Sequence, residues 1–153
     1  MLLVHISARL YGQNTINISE QLKLIELTKN TYIHTSNNNN GLVFINEGQA
    51  IIVSTPESDL ETQNLLDYIR NILNLKINGY VIDRWHPDAM GGLDAVHKSG
   101  IKSFSSELTR NIAKQKGLPI PDTVFDTKIE LNIGNEKIIC HYLGEAHTSD
   151  GIV

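Results

Sequence analysis

The sequence has a single cysteine, no apolar run long enough to cross a bilayer and no concentration of basic charge. The lone thiol, Cys140, excludes an internal disulfide. Its place in the strand-like run Lys137-Ile138-Ile139-Cys140-His141-Tyr142-Leu143 predicts a buried small hydrophobe ahead of a nucleophile or metal ligand. A bilayer-spanning helix needs about 20 apolar residues, and the apolar start Met1-Leu2-Leu3-Val4 falls far short, so no membrane partner is expected. Net charge is −4 with Lys and Arg scattered along the chain, which argues against a nucleic-acid partner. There is no internal repeat, and no low-complexity tract beyond the asparagine run at 37–40. The remaining composition, 41% hydrophobic and 20% charged over 153 residues, suits one globular domain with enough material for a core.

Patterning predicts the elements. Leu22, Leu24 and Leu27 set against Lys23, Ile25 and Glu26 predict a strand, as does Thr31-Tyr32-Ile33-His34-Thr35, where His34 reads as a strand residue and not a ligand. A polar loop over Asn37 to Asn40 comes next. Gly41 to Gly48 and Gln49 to Thr55 form a hairpin turning at Asn46-Glu47-Gly48, with both runs apolar enough for burial on two faces. Leu65, Leu66, Ile69, Ile72 and Leu73 recur at helical spacing within 60–73. A strand over 77–82, a short helix carrying His97 and ending at Gly100, and a strand over 101–104 succeed it. A helix over 107–116 starts after Ser105-Ser106 and stops at Gly117. A hairpin over 127–143 turns at Gly134-Asn135 and carries His141. His97 and His141 read as ordinary residues. Strand blocks alternating with helices predict a mixed α/β layer structure.

The chemistry concentrates in Val81-Ile82-Asp83-Arg84-Trp85-His86-Pro87-Asp88-Ala89-Met90-Gly91-Gly92. A β-prone run there ends in polar groups and two glycines, the pattern of a strand delivering ligands to the lip of a sheet. His86 and Asp88 supply an imidazole and a carboxylate that both suit a divalent cation. The spacing alone equally suits a surface turn in which Asp88 caps the next helix and His86 is solvated. A second polar turn, Gly144-Glu145-Ala146-His147-Thr148-Ser149-Asp150, comes after another strand.

These two stretches resemble the zinc β-lactamases of the metallo-β-lactamase superfamily, whose signature is H-x-H-x-D-x-x-G-G after a strand, then G-x-x-H-x-x-D. The matching residues are Arg84, His86, Asp88, Gly91 and Gly92, then Gly144, His147 and Asp150. The similarity runs from about Leu22 to Val153. It implies an α/β fold of the metallo-β-lactamase-type αββα sandwich, with the site on loops along one sheet edge. It also implies a small-molecule β-lactam substrate, a monomer, and a periplasmic or secreted location. Residues 1–13, which end in Ser7-Ala8 and Tyr11-Gly12-Gln13, then read as a possible signal-peptide remnant, and 14–153 as a partial metallo-β-lactamase domain. By position, the metal ligands would be His86, Asp88 and His147, with Asp88 also catalytic in orienting the metal-bound nucleophile.

Two departures accompany the resemblance. Arg84 stands where the family has its first zinc histidine, and a guanidinium neither deprotonates nor donates a lone pair. The chain also stops at Val153, where the resemblance places the start of a strand, so the sandwich is expected to be incomplete at the C-terminus and to lack the later cysteine and histidine ligands. A catalytic zinc usually takes three protein ligands, so one Zn2+ at most is expected and β-lactam hydrolysis should be impaired. Thioesterases and lactonases of the superfamily carry histidine where Ala89 stands, which favours the β-lactamase branch. A non-catalytic module that kept the fold is the alternative from another class.

Overall fold

Five consecutive strands come first in the chain, where period-two patterning typically gives a strand one face to bury. The computed structural model describes residues 14–37 and 39–153, and the signal-like segment at 1–13 lies outside the described residues. Strands β1 (Thr15–Asn17), β2 (Leu22–Thr28), β3 (Thr31–Ser36), β4 (Asn39–Asn46) and β5 (Gln49–Val53) run antiparallel in sequence order. β6 (Lys76–Val81), β7 (Ser103–Ser106) and β8 (Thr123–Phe125) continue the sheet in parallel, giving eight strands in chain order among the described residues. β9 (Lys128–Ile133) and β10 (Glu136–His141) form a separate antiparallel hairpin whose turn uses Gly134 at φ 58°.

Two apolar clusters define the layers. On one face Leu22, Leu24, Val43, Ile52, Tyr80 and Ile82 meet buried residues of the four α-helices found among the described residues. These are α1 (Asp59–Asp67), α2 (Pro87–Met90), α3 (Leu93–Lys98) and α4 (Glu107–Lys116). On the other face Ile51, Val81 and Phe125 meet Ile133 and Cys140 of the hairpin. The result is helices, large sheet, then hairpin: the two sheets face each other as expected, but of the helices expected on both outer faces the described residues supply only those outside the larger sheet. Cys140 is buried as expected, and burial pushes its thiol pKa up.

Several expectations need correction. Leu27 is 45% exposed while Leu22 and Leu24 are fully buried, because period two places residue 27 on the opposite face. β5 is buried on both faces but β4 alternates, with Leu42 half exposed and Val43 buried. Asn39 and Asn40 belong to β4 and pair with Ser36 and Thr35, so the expected loop at 37–40 gives its second half to the strand, and Asn37 stands at φ 50°. The helix over 60–73 is α1 continued by a π-helical turn, Tyr68–Ile72. The wider winding of that turn departs from the 3.6-residue phase of α1, and Ile72 faces solvent. The strand expected at 101–104 sits two residues later, and β1 and β8 have no counterpart among the elements that patterning predicts.

The glycine pair after Asp88 closes α2 against the rest of the fold. Thr55 donates its backbone N–H to Ala89 O at 3.1 Å, and Gly92 N–H donates to Thr55 Oγ1 at 3.0 Å. A Cβ on Gly91 would overlap the Glu57 carbonyl oxygen, and one on Gly92 would overlap Thr62 Oγ1. Backbone cannot step aside as a flexible side chain can. Gly91→Ala is therefore expected to cost at least about 2 kcal/mol, read as a lower urea midpoint at unchanged m-value.

Candidate functional site

Parallel strands β5, β6 and β7 end on the same edge of the sheet, and the loops that leave them carry the polar residues, as ligand sites of parallel sheets usually do. β5 leads into Ser54, held at φ 61°. Its Oγ donates to Asp83 Oδ1 at 2.7 Å, and its carbonyl accepts from His34 Nε2 at 3.0 Å. Because a carbonyl only accepts, the His34 proton sits on Nε2. Burial holds the His34 pKa down at about 4, against the opposing pull of its hydrogen bonds to the Ser54 and Val53 backbone. Gly41 is required opposite that ring, since a Cβ there would overlap Nε2. His34 is thus a buried strand histidine, as the sequence suggested, bonded through Nε2 while Nδ1 has no partner among the described residues.

β6 delivers Asp83 to Asp88. The Arg84 guanidinium lies between two carboxylates, donating from one amino group to Asp83 Oδ2 at 2.6 Å and from the other to Asp88 Oδ2. All three side chains retain some exposure, at 21% for Arg84, 26% for Asp83 and 24% for Asp88. His86 is the N-cap residue of α2 and Asp88 lies in its first turn, so Asp88 is not the capping residue. Trp85 presents its ring edge-on to His86, with centroids 4.6 Å apart, and takes the Lys116 ammonium 4.0 Å above its own face.

β10 delivers the other half. Gly144 at φ 106° bends the chain, and Ala146 N–H donates to Thr148 O at 3.1 Å to close the turn that carries His147. The His86 and His147 rings meet edge-on with centroids 5.6 Å apart. Two imidazoles from separate motifs therefore stand side by side. A cavity of about 390 Å3 opens beside His147, lined among others by Asp83, Arg84, His141 and Thr148.

The donor chemistry does not complete a zinc site. Zinc needs lone pairs from three protein groups, and among the described residues no group of three His, Cys, Asp or Glu is placed to hold a metal ion. His86 and His147 offer two. Asp88 is already engaged by a fixed positive charge, and that charge occupies the position the resemblance gives to the first imidazole.

A polar cluster behind β7 has no signature in the sequence. Ser103 Oγ donates to Asp122 Oδ2 at 2.9 Å, accepts from Asp122 N–H at 2.9 Å and lies 3.0 Å from His97 Nε2. Ser103 is fully buried and every role of its hydroxyl is filled, so this trio pins the turn into β8 and presents no nucleophile. The three positions are too far apart along the chain for spacing to mark them.

The arrangement of helices, mixed sheet and hairpin, with its polar loops on one edge, is the metallo-β-lactamase sandwich. A solved metallo-β-lactamase from Pontibacter korlensis superposes with a TM-score of 0.79 at 27% identity, covering 86% of this chain and 65% of that one. A structure of DIM-1 metallo-β-lactamase exposed to ceftazidime gives 0.79 at 28%, covering 86% and 64%. Metallo-beta-lactamase type 2 of Bacteroides fragilis is 29% identical over 151 residues, 93% of this chain and 61% of that protein. The type 2 enzyme of Bacillus cereus is 28% identical over 145 residues, 90% and 57%. No family model matches the chain. On these likenesses the chain is similar to metallo-β-lactamases over most of its length and shares their fold, and it spans about 60% of the length of those curated relatives.

Proposed function

We propose that the protein is a β-lactam hydrolase of metallo-β-lactamase type whose metal centre is impaired in this chain. The relatives carry that activity in their names. The observation supporting impairment is the Arg84 to Asp88 ion pair at the position of the first zinc histidine. One zinc ion at most is expected, held weakly by the His86 and His147 imidazoles. Asp88, paired to Arg84, is not free to orient a nucleophile. Ala89 favours lactams over the thioesters and lactones of other superfamily branches. A periplasmic or secreted monomer fits the reading, and among the described residues no helix is long and apolar enough to cross a membrane.

Calorimetric titration with Zn2+ and nitrocefin turnover test this. The expected results are no tight binding at unit stoichiometry and turnover far below the range of about 1–1000 s⁻¹ usual for enzymes. Tight one-to-one binding together with enzyme-like turnover would overturn it. The second reading, a scaffold that has lost catalysis altogether, draws on the same ion pair.

A further inference from the structure

Among the described residues Asp150 is the only carboxylate with no exposed surface. A buried charge is costly unless it is well hydrogen-bonded. Here one oxygen makes all the side chain's bonds, since Asp150 Oδ2 accepts from Trp85 N–H at 2.9 Å and from Thr109 Oγ1 at 2.7 Å, while Oδ1 has no partner among the described residues. The Asp150 carbonyl accepts from Ser106 Oγ at 3.1 Å, and Ser106 caps α4 by accepting from Thr109 N–H at 3.1 Å. Two residues on, Ile152 N–H donates to Asp83 O at 2.9 Å. One side chain thus joins three segments that are remote in sequence: the loop after β6, the start of α4 and the loop after β10.

The two imidazoles depend on two of those segments. Trp85, whose N–H Asp150 holds, is the residue before His86, and His147 is three residues before Asp150 in the same turn. We propose that Asp150 is a positioning residue whose carboxylate sets the spacing of His86 and His147. This rests on the reading of the imidazole pair as the reaction centre of a β-lactam hydrolase. It adds that the pair is held in register by a group that touches neither ring. Preorganised centres need such support, because a ring that swings freely spends little time in the productive geometry.

The test is the nuclear Overhauser cross-peak between the His86 and His147 ring protons in isotope-labelled protein, recorded without metal. The cross-peak is expected in the wild type, kept in Asp150→Asn, whose amide oxygen still accepts both bonds, and lost in Asp150→Ala while the Tyr80 core cross-peaks persist. A wild-type cross-peak in folded Asp150→Ala overturns the proposal. Should Asp150→Ala fail to fold, Thr109→Val removes one of the two donors at constant shape. A weakened cross-peak there supports the proposal and an unchanged one overturns it. In the Arg84→His background the two ideas separate. An Asp150-dependent cross-peak without nitrocefin turnover sinks the hydrolase reading alone, and turnover with an Asp150-independent cross-peak sinks the positioning role alone.

Discussion

Arg84→His is expected to raise zinc affinity by at least about 100-fold, because the substitution removes a repelling charge and adds a ligand. At an effective dielectric of 20, two unit charges about 4 Å apart interact by about 4 kcal/mol, and each 1.4 kcal/mol or so is a factor of ten in affinity. Removing the guanidinium alone therefore accounts for the gain, before the third imidazole is counted toward a three-ligand site. Asp88, released from Arg84, becomes available beside the cation. Calorimetry with Zn2+ reads the affinity, and nitrocefin turnover reads the consequence. Tighter binding with rising turnover identifies an enzyme damaged at one residue. Tighter binding without turnover identifies a scaffold. No change in zinc affinity means that Arg84 is not what limits the site.

Stability should fall steeply between pH 6.5 and 4 because of His34. The folded protein holds this imidazole at about 4 through burial, against an ordinary value of 6.5. Above pH 6.5 the ring is neutral folded and unfolded, and its environment is undisturbed. As the pH falls through that value the unfolded chain takes up the proton first, so the folded state loses ground until pH 4, where both are protonated. A shift of this size corresponds to about 3 kcal/mol. Urea denaturation across that window checks it: the difference between wild type and His34→Gln, whose amide can still donate to Ser54 O, should show the slope, with the variant flatter. Equal slopes would remove His34 as the cause. The subtraction matters because the pKa of Glu130, held down to about 2 by the neighbouring Lys128 and Lys137, contributes its own loss at lower pH.

Most of the strand and helix order was legible in the sequence because its signals are local. Ser106 and Gly117 bracket α4 as capping chemistry dictates, and Gly134 marks the turn of the last hairpin. The two motifs carrying His86 and His147 were also legible, and the fold places their rings together. The features that were not legible depend on where side chains point or on partners distant in sequence. The fate of Arg84 is decided by where Asp83 and Asp88 point. The tether at Asp150 arises from Thr109 and Trp85 lying across the sheet edge, and the pinning of Ser103 by Asp122 crosses a whole helix. The π-turn after α1 was hidden for a related reason, since apolar spacing marks a helix without reporting its winding.

Trp85 is the chain's sole indole, and it sits with Lys116 on its face and His86 at its edge. All tryptophan emission from the unlabelled protein therefore originates one residue from the imidazole pair. Any event that moves or charges His86 changes the colour and brightness of that light, so the protein carries its own optical gauge of this loop.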